Sequence, residues 1–231
     1  MKSSILDQGV FGFAVPAYRR GPRRTKDSCV PHGSRPEVKK GEVVHVTVKL
    51  KRGLPSLRRG EALNVVRAAI GRVNQGAAIR IVEYSIQSNH VHMLIEASNS
   101  ADLSRGMASL NTGLGMRLNR IWNRTGQGSV FKERFHMVVI STPRQMRNAL
   151  NYVLRNDVHH GLNLRTLDPC SSAPSFTGWH QLQGSKKQKA AAASCVSAGP
   201  QTWLLRVGWQ KTKRTHQRLS TAAHPTRALL S

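Results

Sequence analysis

The sequence predicts an α+β fold in which an antiparallel sheet is built in the order β-α-β-β-α-β and is followed by one more helix. Short segments that alternate apolar and polar residues indicate strands with one buried face. Longer segments that repeat apolar residues with a 3.6-residue period indicate amphipathic helices. Clusters of glycine, proline and serine separate these segments and predict the turns.

The first strand is predicted over residues 43–50. Its valines and its leucine share one face, while His45, Thr47 and Lys49 share the other. After a glycine–proline break, apolar residues at helical spacing predict a helix over residues 57–74.

Two further strands are predicted over residues 79–86 and 90–97, and the short Ser-Asn turn between them indicates a hairpin. The next helix is predicted over residues 101–123, with Ser100 as its N-cap. Several glycines weaken the intrinsic helix propensity of this segment, so tertiary packing must stabilise it.

The last strand is predicted over residues 135–140. The following helix begins with Thr142 at the N-cap, proline at the first position and Gln145 at the third, which is a capping-box arrangement. Its apolar stripe predicts that it continues to about His160. This order is the ferredoxin-like plan with an added C-terminal helix, and it accounts for residues 43–161.

The apolar face of the predicted sheet should pack against the two crossover helices. The opposite face, which we expect to be open, would then carry four polar side chains: His45, Thr47, His90 and His92.

The charge balance indicates a polyanionic partner. The 231-residue chain has 36 Lys and Arg against 11 Asp and Glu, a formal net charge of +25. A positive excess of this size most often indicates binding to nucleic acid. No basic amphipathic helix or lipidation motif favours binding to a membrane surface instead. Aromatic residues make up only 5% of the chain, so base stacking is not expected to be the main binding device.

Three cysteines are present, Cys29, Cys170 and Cys195, and none forms a CxxC pair. A disulfide framework or a cysteine zinc site is therefore not expected, and a reducing compartment fits. No apolar run approaches the ~18 residues of a membrane helix, and no secretory signal is expected. We expect a cytoplasmic, nucleoid-associated protein with no membrane partner.

Four regions are predicted along the chain. Residues 1–42 are basic and rich in glycine and proline, which predicts a flexible arm that is either inert or clamps a DNA backbone. Residues 43–165 form the predicted catalytic domain, 166–209 an extension with a linker, and 210–231 a basic disordered tail. Within the extension, residues 202–209 are apolar enough to pack as a small winged appendage or a lone helix.

The candidate chemistry lies on one strand and one helix. His90 and His92 point to the same face of their strand, roughly 6–7 Å apart, and can hold one metal ion. On its own such a pair is more typical of hydrogen-bonded surface histidines than of a metal site. On the last helix, Tyr152 lies nearly opposite the apolar stripe, and Asn156 follows one turn later on the same face. The predicted site therefore consists of three metal ligands and a hydroxyl nucleophile: His90, His92, Asn156 and Tyr152.

The residue that removes the tyrosine proton is not identified. An unperturbed tyrosine has a pKa of ~10, so the metal, Lys132 or water would have to assist. Tyr18 and Tyr84 are less favoured as nucleophiles, and His45 and His136 are expected to be structural or to face DNA.

Several segments resemble the single-tyrosine HUH transposases, and in particular their REP-associated, insertion-sequence-200-like branch. These segments are residues 85–96 (SIQSNHVHMLIE), 105–107, 128–136 (GSVFKERFH), 142–144 and 147–156 (RNALNYVLRN). The later stretches 168–172, 176–179 and 202–209 also resemble that branch.

The resemblance implies cleavage and rejoining of single-stranded, often hairpin-forming DNA through a 5′-phosphotyrosine, with release of a 3′-OH. It implies Mg²⁺ or Mn²⁺, whereas imidazole ligands alone would equally allow Zn²⁺. By position it assigns His90, His92 and Asn156 as ligands and Tyr152 as the nucleophile. Four basic residues are expected to contact the nucleic acid: Lys49, Arg105, Lys132 and Arg134.

Two other functions are consistent with parts of the sequence. A domesticated relative would bind hairpin DNA or RNA without cleaving it. A 2H-type phosphoesterase would need two His-x-Ser/Thr motifs, whereas this chain has His-Val-His once. Both a monomer and a homodimer are consistent with the resemblance, since helix-swapped dimers occur among relatives and the Tyr helix then serves the partner's site.

Overall fold

The computed structural model describes residues 34–156, 167–179 and 195–211. The elements in chain order are β1 (Val43–Lys49), α1 (Gly60–Asn74), β2 (Ile79–Ile86), β3 (His90–Ala97), α2 (Ser100–Ile121), β4 (His136–Ile140), α3 (Pro143–Leu154) and α4 (Trp203–Arg206). Single 3₁₀ turns occur at Ala173–Ser175 and Gly208–Gln210.

The strands form one antiparallel sheet in the order β2-β3-β1-β4. This confirms the predicted α+β fold and its β-α-β-β-α-β order. Strands β1 and β3 lie at the centre, where each is held on both sides. The register of β2 against β3 shifts between Ile81 and Glu83, which marks a bulge in the edge strand.

Both faces of the sheet are covered. One face packs against α1 and α2, with residues such as Val46 and Met93 in the core, as predicted. The other face was expected to be open, and this was wrong. Val43 and Leu94 on that face are fully buried against α3 and the C-terminal segments, because apolar side chains on both layers leave water there together.

Helix α1 begins three residues later than predicted. Leu57 is buried, and its backbone N–H donates to the carbonyl of Ser88 in the hairpin turn. Gly60 has a φ of 52°, so the chain turns sharply there before the helix proceeds.

The N-cap of α2 is Asn99 rather than Ser100. The Asn99 side chain accepts a hydrogen bond from the backbone N–H of Asp102 at 2.8 Å. Ser100 instead accepts one from the backbone N–H of Val38 at 2.9 Å. Both hydroxyl and amide side chains suit this position, and the tertiary contact with Val38 decides between them.

Helix α3 has the predicted capping box between Thr142 and Gln145. It ends at Leu154, because Arg155 leaves helical geometry with φ −117° and ψ 27°. The predicted helix is thus interrupted at Arg155, while Asn156 is helical again, and residues 157–160 of the prediction lie outside the described ranges.

Terminal segments pack on the domain more extensively than predicted. Val38 is buried in the core, so residues 34–42 are held against the domain, while the rest of the predicted arm lies outside the described residues. Residues 195–200, expected to be linker, lie along β2, where the Ala198 N–H donates to the Ile81 carbonyl at 2.9 Å. Residues 212–231 of the predicted tail lie outside the described ranges.

Residues 167–179 cover another part of the same sheet edge. The Arg58 guanidinium forms two 2.8 Å hydrogen bonds with the Asp168 carboxylate, and the Ile86 N–H donates to the Cys170 carbonyl at 2.9 Å. Such cover prevents the edge strand from pairing with another chain. None of the helices in the described ranges has the length and apolarity that crossing a bilayer requires.

Candidate active site

A row of polar side chains crosses the sheet at its centre. Thr47 on β1 lies opposite His136 on β4 and opposite His92 on β3, and His92 lies opposite Ser85 on β2. Paired residues in an antiparallel sheet point to the same face. The sequence assigned His92 and Thr47 to one face, and the strand register adds His136 and Ser85 to it.

The two predicted ligand histidines are neighbours. The ring centroids of His90 and His92 are 4.7 Å apart, and both side chains are buried. His90 Nδ1 lies 2.8 Å from Asn89 Oδ1, and His92 Nδ1 lies 3.0 Å from Thr47 Oγ1. Because both Nδ1 atoms are held in this way, Nε2 is the ligand nitrogen that each ring would offer.

A third histidine supports this pair from β1. His45 Nε2 lies 3.2 Å from His92 Nδ1, and the two rings stack with 5.2 Å between centroids. Burial and, to a smaller extent, the nearby His136 lower the pKa of His45 to about 3. His45 is therefore neutral at pH 7, which suits the structural role expected for it and avoids a buried cation beside the ligands.

Tyr152 reaches the histidines from α3. Its ring meets His92 edge-on at a centroid distance of 5.1 Å and His45 at 5.9 Å. The side chain is half-buried, so it is neither a core residue nor a freely solvated one. Burial raises the pKa of its hydroxyl, and Asn156 lowers it by a smaller amount. The hydroxyl is thus protonated at pH 7 and needs help to become a nucleophile.

Asn156 is 1% exposed and lies just beyond the end of α3. It is close enough to Tyr152 to lower the pKa of the hydroxyl. The Asn156 Oδ1 and Nδ2 atoms form no other hydrogen bond with the residues that the structure describes. An amide oxygen is among the donors that a divalent cation accepts, which is the role predicted for Asn156.

The donor set fits a divalent cation only if the amide takes part. No group of three His, Cys, Asp or Glu side chains in the described ranges could hold a metal. Two imidazole nitrogens together with the buried Asn156 oxygen would make the predicted three-donor set and leave positions for water or substrate. Such a mixed set accepts Mn²⁺ or Zn²⁺ readily and Mg²⁺ when water completes its shell.

Comparison with known proteins identifies the family. Residues 43–156, which include both histidines, Tyr152 and Asn156, match the family model described as IS200-like transposase. This domain belongs to the IS200-like transposase family. The resemblance seen in the sequence motifs is thereby confirmed. No curated protein sequence matches the chain.

Two solved structures are similar to parts of this chain. One, a REP-associated tyrosine transposase bound to a REP hairpin, has a TM-score of 0.52 at 16% identity, covering 75% of this chain and 93% of that one. At this identity the match shows a shared fold. The other, a candidate transposase from Deinococcus radiodurans R1, has a TM-score of 0.37 at 13% identity, covering 49% and 87% of the two chains.

Three of the four basic residues predicted to contact nucleic acid lie near one end of the candidate site. Lys49 is directly opposite His90, and the Lys132 N–H donates to the Lys49 carbonyl at 2.9 Å. Arg134 lies two residues before His136 on the β4 side. The structure does not bring Arg105 there, since it lies on α2 beyond the other face of the sheet and pairs with Asp102.

Two residues near the transposase site were not found from the sequence. Arg35 stacks on the Phe135 ring at 3.6 Å, and burial together with Arg134 lowers its pKa. It gave no signal because it lies in a stretch predicted to be a flexible arm. Glu83 is buried on the histidine face of β2, opposite Leu94, and burial raises its pKa to about 8. The sequence did contain a signal for Glu83, because it lies two residues before Ser85 on the same strand and therefore points to the same face.

Proposed function

We propose that this transposase cleaves and rejoins single-stranded, hairpin-forming DNA through a covalent bond between Tyr152 and a 5′ phosphate. The observation that carries the proposal is the 5.1 Å edge-on contact between the rings of Tyr152 and His92, because it joins a nucleophile on α3 to a ligand pair on β3. The hairpin bound to the similar REP-associated transposase supports the choice of DNA.

In the proposed reaction, the Tyr152 oxygen attacks the scissile phosphorus and the bond from phosphorus to the 3′ oxygen breaks. The leaving oxygen gains a proton and departs as a 3′-OH, while the tyrosine proton passes to water or a nearby base. Attack by a second 3′-OH on the phosphotyrosine reverses these steps and restores Tyr152. The phosphodiester bond energy is kept in the covalent link, so rejoining needs no nucleotide cofactor.

His90, His92 and Asn156 would hold a divalent cation in this site. When bound, Mg²⁺ or Mn²⁺ supplies Lewis-acid stabilisation of charge on the phosphate and the leaving oxygen. His45 and Thr47 hold the His92 ring through its Nδ1. Their contribution is to fix the ring plane and the nitrogen that faces the cation.

The basic end of the site would bind the DNA backbone. Lys49 and Lys132 are joined by a backbone hydrogen bond next to His90. Burial lowers the pKa of Arg35, and Arg134 lies close enough to lower it as well. Contacts from these side chains to DNA phosphates would position the scissile bond in the site without recognising the base sequence. Tyr152 meets the histidines of its own chain, which supports cleavage in cis.

The proposal is tested with a hairpin oligonucleotide labelled at its 3′ end and incubated with Mn²⁺ or Mg²⁺. A 5′-phosphotyrosine retains the labelled fragment, so wild type should give a labelled band on a denaturing protein gel. Tyr152→Phe should bind the hairpin equally and form no band, while Tyr18→Phe serves as the matched control. Tight binding by wild type without any adduct would identify a non-cleaving DNA-binding relative instead.

A further inference from the structure

One aromatic side chain outside the active site is strongly exposed. Trp203, at the start of α4, has 53% of its surface exposed, whereas Trp179 and Trp209 are buried in the core formed with α3. Tryptophan is the side chain with the largest flat apolar surface. An indole left in solvent in this way can bind a flat ligand.

The backbone beneath Trp203 is firmly held. Thr202 donates from its backbone N–H and its hydroxyl to one oxygen of the buried Glu96 carboxylate, at 2.7 and 2.8 Å. Leu204 and Leu205, the next two residues, are buried. Because anchors lie on both sides of Trp203, the ring is presented at a fixed place and ordering it on binding costs little entropy.

The ring lies against a glycine. A Cβ at Gly208 would come within 2.8 Å of the Trp203 ring, so any side chain there would displace it. Val207, one turn after Trp203, is 40% exposed and extends the apolar surface beside the ring. Trp203, Val207 and Gly208 together form a supported platform, which we call the Trp203 platform.

The charges around the Trp203 platform are positive. Arg206 and Lys211 are both exposed, and residues 195–211 contain no Asp or Glu. The nearby Glu96 carboxylate is buried and accepts hydrogen bonds from Gln201 and Thr202. A flat apolar surface bordered by cations matches single-stranded nucleic acid, which offers flat bases on an anionic backbone.

We propose that the Trp203 platform binds an unpaired base of single-stranded DNA by stacking, with Arg206 and Lys211 beside the neighbouring phosphates. The inference rests on the proposed function in taking DNA as the partner, but it does not require cleavage. Bases inside a hairpin stem are already stacked on one another. The platform is therefore selective for the unpaired flank of a hairpin and not for its stem.

The test compares two DNAs, a blunt hairpin and the same hairpin with a single-stranded extension. Trp203→Ala should weaken binding of the extended hairpin by roughly 5- to 150-fold, which corresponds to the loss of one base–aromatic stack, and should leave binding of the blunt hairpin unchanged. Trp203→Leu retains apolar bulk over Gly208 but has no π face, so it should behave like the alanine variant. Trp203→Phe should retain most of the affinity.

Stacking is measured directly by placing the fluorescent base 2-aminopurine at successive positions of the single-stranded extension. Its fluorescence should fall at one position on binding to wild type and remain high with Trp203→Leu. Unchanged affinity of Trp203→Leu for the extended hairpin would overturn the proposal, as would an equal loss on both DNAs. Loss of self-association with unchanged DNA affinity would show that the platform contacts a second copy of the chain. A wild type that forms no adduct but shows the extension effect would refute the proposed cleavage and leave the platform standing.

Discussion

His45 Nε2 lies 3.2 Å from His92 Nδ1, and the two rings stack 26° from parallel. His45 is on β1, a central strand, so its backbone is held by pairing on both sides. The side of His92 that faces away from the proposed cation is thus occupied by His45 and Thr47. These contacts orient the ring and leave Nε2 directed toward the site.

His45→Phe removes the nitrogen and keeps a stacked, apolar ring in the same space. We expect it to lower Mn²⁺ affinity by roughly 10- to 100-fold, as loss of a ligand-orienting contact generally does. Titration calorimetry with Mn²⁺ in the absence of DNA measures this. His136→Phe, on the same face but exposed, is the control, and equal Mn²⁺ affinity in wild type and His45→Phe would contradict the positioning role.

Lys49→Ala and Lys132→Ala should each weaken hairpin binding and reduce its salt dependence. Each lost phosphate contact on a single strand lowers the slope of log affinity against log salt by about 0.7. Arg105→Ala removes the same charge from the other side of the sheet and should leave both quantities unchanged. Fluorescence anisotropy at several salt concentrations separates the variants, and identical slopes for Lys49→Ala and Arg105→Ala would exclude the proposed DNA path.

Glu96→Ala should release the C-terminal segment from the domain. The Glu96 carboxylate accepts hydrogen bonds from the backbone of Gln201 and from the backbone and hydroxyl of Thr202. Donors left without an acceptor cost about 1–3 kcal/mol each when buried, so hydrogen exchange at residues 201–205 should accelerate. Glu42→Ala, which removes an exposed local contact with Lys39, is the control. Unchanged exchange in Glu96→Ala would argue against this anchor.

Glu83 makes the stability of the domain depend on pH. Burial raises its pKa from the ordinary 4.5 to about 8, while a hydrogen bond with Ser172 acts in the opposite direction. Between those values the native state holds a proton that the unfolded chain has released, so the free energy of unfolding falls as pH rises. The slope approaches about 1.4 kcal/mol per pH unit, and Glu83→Gln should remove it.

Urea denaturation between pH 6.5 and 8 measures the effect of Glu83. This pH window avoids the titration of His45. Because burial lowers the pKa of His45 from 6.5 to about 3, this residue makes the free energy of unfolding rise with pH between those two values, which is the opposite of the effect of Glu83. Parallel stability curves for wild type and Glu83→Gln would show that the carboxyl is not protonated in the native state.

The element order could be predicted because periodicity is a local property of the sequence. Strands β2 and β3 and the start of α3 lie where the alternation and the Thr142 capping box place them. The cover of the histidine face could not be predicted, since it depends on contacts such as Glu96 with Thr202, which are 106 residues apart. The interruption at Arg155 was missed because the apolar stripe continues past it and Asn156 is helical again.

The candidate site, like the fold, could be predicted where local strand or helix geometry determines it. His90, His92 and Tyr152 were found because strand and helix geometry fix the direction of each side chain. The support from His45 depends on the register between β1 and β3, which no local pattern encodes. Glu83 was missed because the bulge between Ile81 and Glu83 breaks the alternation of β2, so that only the alternation with Ser85 places Glu83 on the histidine face.

Peptide mass spectrometry of the DNA adduct tests the proposed nucleophile most directly. The chain has three tyrosines, and Tyr84 is buried in the core with its pKa raised to about 12. After nuclease and trypsin digestion, the phosphate or residual nucleotide should be on the tryptic peptide of residues 148–155, which contains Tyr152. A modification on residues 81–105, which contain Tyr84, or on the Tyr18 peptide would contradict the assignment of Tyr152.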